Sequence, residues 1–176
     1  MTKANGQMSK EIYLAGGCFW GAEHFLKQIE GVEATEVGYA NGHTDRPTYE
    51  EVCTDKTGFA ETVRVVYDPA RVGLAFLLDL YFKAIDPTSV NQQGGDRGTQ
   101  YRTGIYYVDE ADAATIDQVL ADQRRAVGEP LAVEHLPLRN FYPAEDYLEK
   151  NPAGYCHLPA ALFELARKAK PVPSDH

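Results

Sequence analysis

Apolar residues recur along this chain with two periods, and each period predicts one kind of element. Short apolar runs with alternation at every second residue predict β-strands, at Glu11–Ala15, Val32–Tyr39, Ala60–Tyr67 and Tyr101–Val108. Apolar residues three and four positions apart predict α-helices, one from about Phe19 to Gly31 and one containing Leu74 to Ile85. Two long loops, polar or rich in glycine, separate these elements at Ala40–Pro47 and Asp86–Gln100.

The predicted elements as far as Val108 follow the order β-α-β-β-α-β. That order is typical of the split β-α-β, ferredoxin-like α+β fold, a mixed sheet with helices on one face. Beyond it, the pattern predicts a C-terminal extension with long irregular coil, containing a helix over Glu110–Val127, a short strand over Leu131–His135, a helical patch near Pro143 and a last helix over Pro159–Lys168. We expect a single domain over residues 11–169, between a disordered tail at residues 1–10 and a C-terminal tail at residues 170–176.

Charge and hydropathy exclude several classes of partner. The 176 residues include 17 Lys and Arg against 26 Asp and Glu, a formal net charge of −9, so nucleic acid and anionic membranes are disfavoured as partners. No apolar run reaches the ~20 residues that span a bilayer. Met1 to Lys10 is polar and offers no secretion signal. We therefore expect a cytoplasmic protein, and a monomer.

The three cysteines stand far apart, at Cys18, Cys53 and Cys156, without a CxxC pair. This arrangement predicts neither a disulfide framework nor a zinc site. Cys18 follows two glycines at the predicted start of a helix, where unpaired N–H groups and the helix dipole favour a thiolate and lower the thiol pKa. From position alone, a small buried core residue is an equally good interpretation, but glycines on both sides, which leave the backbone open to a substrate, favour a functional thiol.

Glu61 lies at the start of a predicted strand and shares a face with Val63 and Val65. If that face is apolar, desolvation raises the pKa of the carboxyl, as suits a general acid. The alternative, an exposed glutamate at a strand end, is the commoner case.

Other candidates come from the loops. Tyr101 is predicted at a strand start beside the loop with Asp96, and Tyr49 lies in the other loop region; both could donate to a polar oxygen or simply pack. Cys156 lies in an irregular segment that could bring a second thiol to the first, whereas Cys53 is interpreted as packing. Histidines offer no ligand-spaced pair, so no metal site is expected.

Together these residues resemble the A type of the peptide methionine sulfoxide reductase family, from about Glu11 to His157. The similar segments are GGCFWGAE (16–23), EVGYANG (36–42), PTYEEVC (47–53), TGFAETVRVVYDP (57–69), IDPTS (85–89), GDRGTQYR (95–102), FYPAEDY (141–147) and NPAGYCH (151–157). GCFWG and GTQYR, in this order and at this separation, are highly specific to that family.

The resemblance implies a catalytic domain that reduces the S epimer of methionine sulfoxide, in proteins or free, without metal or organic cofactor. It assigns the nucleophile to Cys18 and the proton donor to Glu61. Substrate-binding roles go to Phe19 and Trp20 for the methyl group, Tyr49 and Tyr101 for the oxygen, and Asp96 for the polar side of the site. Cys156 is then the resolving thiol, and thioredoxin or a similar dithiol is the reductant.

Three positions depart from the family pattern. Phe59 stands where histidine is common, and Gly95 stands where asparagine is usual and is expected to loosen the loop around Asp96. The stretch Asp146–Lys150 is about four residues shorter than usual, roughly one helical turn, which changes the path to Cys156.

Two other functions fit the thiol pattern less well. A thiol peroxidase also uses a reactive and a resolving cysteine, but it needs no aromatic methyl pocket such as Phe19 and Trp20 would form. A ferredoxin-like sensor of small molecules would make the cysteines incidental, and Cys18→Ser would then leave its behaviour unchanged.

Overall fold

The computed structural model describes residues 9–54, 56–144 and 165–169. Strands are β1 (Lys10–Ala15), β2 (Val32–Ala40), β3 (Ala60–Tyr67), β4 (Gln92–Gln93), β5 (Asp96–Arg97), β6 (Gly104–Tyr107), β7 (Glu134–Pro137) and β8 (Phe141–Pro143). Helices are α1 (Phe19–Leu26), α2 (Tyr49–Cys53), α3 (Leu74–Ala84) and α4 (Asp112–Val127), with a 3-10 helix over Thr99–Tyr101. Residues 165–168 are also helical.

The main sheet has the strand order β7-β6-β1-β3-β2-β8. Its four inner strands, β6, β1, β3 and β2, are antiparallel to one another, and α1 and α3 make the two crossovers between next-nearest strands. This is the ferredoxin-like arrangement that the element order predicts. At the edges, β7 pairs parallel to β6 and β8 pairs antiparallel to β2, so the sheet is mixed, as expected.

Alternation along the strands divides the buried residues between two faces of the sheet. One face packs against α1 and α3 in a large core whose members are Ile12, Leu14, Phe25, Leu26, Val37, Val63, Val65, Leu77, Leu78 and Ile105 among others. The opposite face has a smaller cluster that includes Tyr13, Ala15, Ala60 and Tyr106, covered by Leu138 and Phe141. The helix-covered face therefore contains most of the apolar burial, and any polar group on it is removed from water.

Several boundaries differ from the predicted ones because of tertiary contacts. β1 begins at Lys10, which pairs with Asp109 and Asp112. The predicted strand Tyr101–Val108 is wrong at its start, because Thr99–Tyr101 forms a 3-10 helix and the strand begins at Gly104.

The C-terminal predictions also change. The short strand expected at Leu131–His135 lies at Glu134–Pro137, where β6 offers a parallel partner. Pro143 ends strand β8 instead of opening a helical patch. Most of the residues predicted to form the remainder of that patch and the last helix lie outside the described ranges.

The strand register brings four chain segments to one end of the sheet. Ala15, at the end of β1, is opposite Thr62 and Gly104, and Ala40, at the end of β2, is opposite Ala60. The segments after β1 and β2 and before β3 and β6 therefore meet at this end. Within the described residues, no helix is long and apolar enough to cross a membrane.

Tyr81 of α3 holds this end of the sheet together. Its buried hydroxyl donates to Ala15 O at 2.6 Å and accepts from Gly104 N at 3.2 Å.

We expect Tyr81→Phe to lower the free energy of unfolding by about 1–3 kcal/mol, because two buried backbone groups lose their partner. Urea unfolding of the variant and the wild type measures this difference in the free energy of unfolding. Tyr107→Phe, at a half-buried tyrosine of β6, is the control and should cost less than about 0.5 kcal/mol; equal losses would contradict the anchoring role.

Candidate active site

The turn Gly16-Gly17-Cys18 connects β1 to α1. A Cβ added to Gly16 would lie 2.6 Å from Cγ2 of Ile85, and Gly17 has a φ of +72°, so neither position accommodates an ordinary side chain. Packing and backbone conformation therefore require these glycines. Their expected role in leaving the backbone open to a substrate stays a prediction.

Cys18 is the N-cap residue of α1. Its backbone is extended (φ −66°, ψ 123°), and its carbonyl accepts the first hydrogen bond of the helix from Ala22 N at 3.2 Å. The predicted position at a helix start is confirmed. The residue is only 5% exposed, and the positive end of the helix dipole favours a negative charge on its sulfur.

Glu61, the second residue of β3, points into the helix-covered face together with Val63 and Val65. It is 1% exposed, so the alternative of an exposed strand-end glutamate is wrong. Its Oε1 accepts a hydrogen bond from Phe19 N at 3.1 Å. Because Phe19 directly follows Cys18, the Glu61 carboxyl is bound at the same end of α1 as the residue that carries the thiol.

Burial raises the pKa of Glu61 to about 8. Removal of the carboxyl from water is the largest cause, and the negative charge of Asp96 raises the pKa further, whereas the N–H of Phe19 lowers it. Oε2 has no hydrogen-bond partner among the described residues. At neutral pH the carboxyl is therefore mainly protonated and can act as a hydrogen-bond and proton donor.

The 3-10 helix forms another wall of the site. Gly17 N donates to Tyr101 O at 3.1 Å, which holds this helix against the turn that carries Cys18. The chain enters it through Gly98, whose φ is +139°. Tyr101 is half-buried, and it lies in a 3-10 helix and not at the start of a strand.

Asp96 is fixed by the short hairpin of β4 and β5. Gln93 pairs with Asp96 across a two-residue turn that contains Gly95, and a Cβ at Gly95 would meet nothing within 4 Å. Asp96 is half-buried and is close enough to Glu61 to raise its pKa. The structure thus places Cys18, Glu61, Asp96 and Tyr101 at one end of the sheet.

Phe19 and Trp20 differ in their surroundings. Phe19 is 1% exposed and packs in the core at 5.5 Å from Tyr39, measured between ring centroids. Trp20 is half-buried and stacks on His24 at 5.7 Å with an interplanar angle of 10°. Of the two predicted pocket aromatics, Trp20 is therefore the more accessible to a substrate.

Arg102 is a site residue that the sequence reasoning missed. Its guanidinium donates to Thr99 O and Gly58 O, both at 2.9 Å, and to Glu134 Oε1 at 2.7 Å. These bonds tie the 3-10 helix to the segment before β3 and to β7. The sequence shows an arginine directly after Tyr101, but two of its three partners, Gly58 O and Glu134 Oε1, come from distant parts of the chain.

Tyr49 is the first residue of α2, which begins after an N-cap at Thr48. Thr48 and Glu51 form a capping box, with bonds of 2.9 and 3.1 Å between each side chain and the other's backbone N–H. The side chains of Tyr49 and Cys53 lie outside the described part of the chain, as does all of Cys156. Their roles stay predictions.

Comparison with known proteins identifies the family. A family model described as peptide methionine sulfoxide reductase matches residues 10–174. The chain belongs to this family. The peptide methionine sulfoxide reductase MsrA of Lachnoclostridium phytofermentans is 53% identical over 166 residues, which cover 92% of this chain and all of the relative. The activity class is thus that of an oxidoreductase acting on methionine sulfoxide.

Solved structures of two reductases resemble this one. Reduced Mxr1 from Saccharomyces cerevisiae is 38% identical with a TM-score of 0.78, over 89% of this chain and 92% of that chain. Methionine sulfoxide reductase A of Corynebacterium diphtheriae is 36% identical with a TM-score of 0.75, over 89% and 84%. The fold around the Cys18 turn is therefore that of reductases.

Phe59, one of the positions at which the resemblance predicts a departure, is an apolar packing residue. It is 1% exposed and its ring meets Tyr142 edge-on at 5.8 Å. A Cβ on Gly42 would lie 2.2 Å from the Phe59 ring, so the two residues fit each other closely. In the ranges that the structure describes, no group of three or more His, Cys, Asp or Glu could hold a metal ion.

Glu61→Gln tests the burial of the carboxyl in this reductase by its effect on stability. Because the pKa of Glu61 is raised on folding, the native state binds an extra proton between its ordinary pKa of 4.5 and about 8. The wild type therefore loses stability as pH rises through this window, whereas the neutral amide does not. At pH 9 we expect the variant to be more stable by about 2–4 kcal/mol.

The measurement is urea unfolding at pH 5, 7 and 9. The advantage of Glu61→Gln should shrink toward pH 5. Glu36→Gln, at a glutamate of β2 whose side chain is 45% exposed and faces Arg64, is the control and should show no such trend. A constant difference between Glu61→Gln and wild type across the three pH values would refute the raised pKa.

Proposed function

We propose that this protein reduces the S epimer of methionine sulfoxide, peptide-bound or free, with Cys18 as nucleophile and Glu61 as acid, in the repair of oxidised proteins. The observation that supports this most directly is the 3.1 Å hydrogen bond from Phe19 N to Glu61 Oε1. It holds a carboxyl with a pKa of about 8 at the helix terminus where the thiol lies. A thiolate and a protonated acid can therefore coexist there near neutral pH.

In the first step, the Cys18 thiolate attacks the sulfoxide sulfur while Glu61 donates its proton to the sulfoxide oxygen. Protonation is needed because the oxygen is otherwise a poor leaving group. The attack forms a bond between the two sulfurs. The protonated oxygen then passes from the methionine sulfur to the Cys18 sulfur while this sulfur–sulfur bond breaks, so methionine leaves and Cys18 is left as a sulfenic acid. Two electrons pass from the cysteine sulfur to the methionine sulfur, so the step is balanced.

The surrounding residues orient the substrate. The hydroxyls of Tyr49 and Tyr101 donate hydrogen bonds to the sulfoxide oxygen. Burial raises the pKa of Glu61, and the negative charge of Asp96 raises it further. Trp20 contacts the methyl group on the accessible side, and Phe19 supports it from the core. An apolar methyl site beside a polar oxygen site distinguishes the two epimers at sulfur.

Regeneration requires a second thiol and an external dithiol. Cys156 condenses with the sulfenic acid, forming a disulfide and releasing water, and thioredoxin reduces the disulfide. One relative supports this partner: Mxr1 from Saccharomyces cerevisiae has been solved in complex with Trx2, with 27% identity and a TM-score of 0.61. A monomer in the cytoplasm and a catalytic domain over residues 11–169 stay predictions.

Reduction of a peptide containing methionine sulfoxide tests the activity. With dithiothreitol, the S epimer should be turned over and the R epimer left unchanged, and Cys18→Ser should abolish turnover because the nucleophile is gone. Chromatographic resolution of the two epimers gives the rates. The same preparation should not consume hydrogen peroxide rapidly, as a thiol peroxidase would. No reduction of the S epimer would overturn the proposal.

The role of Glu61 predicts a pH profile for the same reaction. Since only the protonated carboxyl donates, kcat/KM should fall as pH rises above about 8. Glu61→Gln should lose a factor of about 100 or more and also the decline above pH 8. An undiminished rate in this variant would remove Glu61 from the mechanism.

The role of Cys156 predicts a separation of single and multiple turnover. Cys156→Ser should still form one methionine per enzyme without reductant, because Cys18 and Glu61 remain. Cycling with thioredoxin should stop, because the disulfide that thioredoxin reduces cannot form. Cys53→Ser is the matched variant and should keep cycling; the opposite pattern would assign the resolving role to Cys53.

A further inference from the structure

A basic cleft opens at the same end of the sheet as Cys18, beyond the 3-10 helix. Its volume is about 400 Å³. Its lining includes the cationic side chains of Lys56, Arg102 and Arg139, one carboxylate at Glu134, and backbone at Gly58 and Thr99. The cleft thus has a formal excess of two positive charges in a chain whose net charge is −9. A positively charged cleft in a negatively charged protein attracts an anionic group.

Arg102 is held rigidly in the wall of this cleft. Three of the five N–H bonds of its guanidinium are used, toward Thr99 O, Gly58 O and Glu134 Oε1. Each terminal nitrogen donates once in this set, so among the described residues each has a second N–H without an acceptor. Glu134 Oε1 also accepts from the hydroxyl of Tyr106 at 2.7 Å, which fixes the carboxylate against the sheet.

Arg139 is anchored through Asn41 on the opposite side. Asn41 is 1% exposed, and its Oδ1 accepts from the backbone N–H of Arg139 at 2.7 Å. The guanidinium of Arg139 lies 3.4 Å from Asn41 O. Lys56 is exposed on the segment before β3. The cleft therefore combines two guanidinium groups that hydrogen-bond to backbone carbonyls with one exposed lysine side chain.

The cleft is within a short peptide's length of the reactive groups. Gly58 precedes Glu61 by three residues, so their Cα atoms are at most about 10 Å apart. Thr99 precedes Tyr101 by two residues of 3-10 helix, a rise of about 4 Å. An extended peptide that passes around this end of the sheet covers about 10 Å with three residues, the same span as the chain between Gly58 and Glu61, and this sets the spacing to be tested.

We propose that the basic cleft binds an acidic side chain of the peptide substrate, about three residues from the oxidised methionine. The inference rests on the proposed function and adds a substrate class to it: segments in which methionine sulfoxide has a nearby Asp or Glu. The carboxylate is received by Lys56 and Arg139, together with the remaining N–H bonds of Arg102. Glu134 offsets part of this charge and makes the attraction weak enough for product release.

Blocked peptides with one methionine sulfoxide and Glu, Gln or Lys three residues before or after it test this. We measure kcat/KM with dithiothreitol, so that docking of a protein reductant does not enter. On at least one flank, the Glu peptide should exceed the Gln peptide by about fivefold, the effect of two exposed ion pairs. The Lys peptide should be poorest, and added salt should reduce the preference.

The double variant Lys56→Gln, Arg139→Gln should bring the Glu-to-Gln ratio to about one. Lys83→Gln, at an exposed lysine of α3, is the matched control and should keep the wild-type ratio. Equal kcat/KM for the Glu and Gln peptides in the wild type, or an unchanged ratio in the double variant, would overturn the specificity. Absence of reduction for every peptide would instead overturn the proposed function.

Discussion

The site depends on a carboxyl that is buried at a helix N-terminus. Such a terminus ordinarily stabilises a carboxylate, because its N–H groups and dipole favour negative charge. At Glu61 the cost of removing the charge from water is larger, and the pKa rises to about 8 despite the N–H of Phe19. The exclusion of water therefore decides the protonation state. The glycine turn, the 3-10 helix and the apolar core all maintain that exclusion.

The exclusion of water from Glu61 also connects the stability of the fold with the chemistry of the site. Four segments that are distant in sequence meet where β1 and β2 end and β3 and β6 begin. Tyr81 and Arg102 join these segments through backbone groups, so they act on the site without touching the sulfur. A buried acid without a cation beside it costs folding energy at alkaline pH, and the surrounding network offsets that cost.

Local pattern was sufficient for the β-α-β-β-α-β order of elements and for the placement of two residues at the centre of the site, Cys18 and Glu61. Alternation along β3 placed Glu61 beside Val63 and Val65, and that assignment needs only the period of a strand. The turn of two glycines placed Cys18 at a helix start. The 3-10 helix at Tyr101 was not predictable in this way, because it depends on a bond from Gly17 and on Arg102. Strand β8 likewise needs β2 as a partner, which no local period reveals.

Trp20 is the chain's one tryptophan, and it is half-buried against His24 at the mouth of the site. Indole emission from this molecule therefore originates entirely from that position. A ligand that enters beside the ring changes the contact of the indole with water. The fluorescence of Trp20 therefore reports whether a ligand occupies the site, without any attached dye.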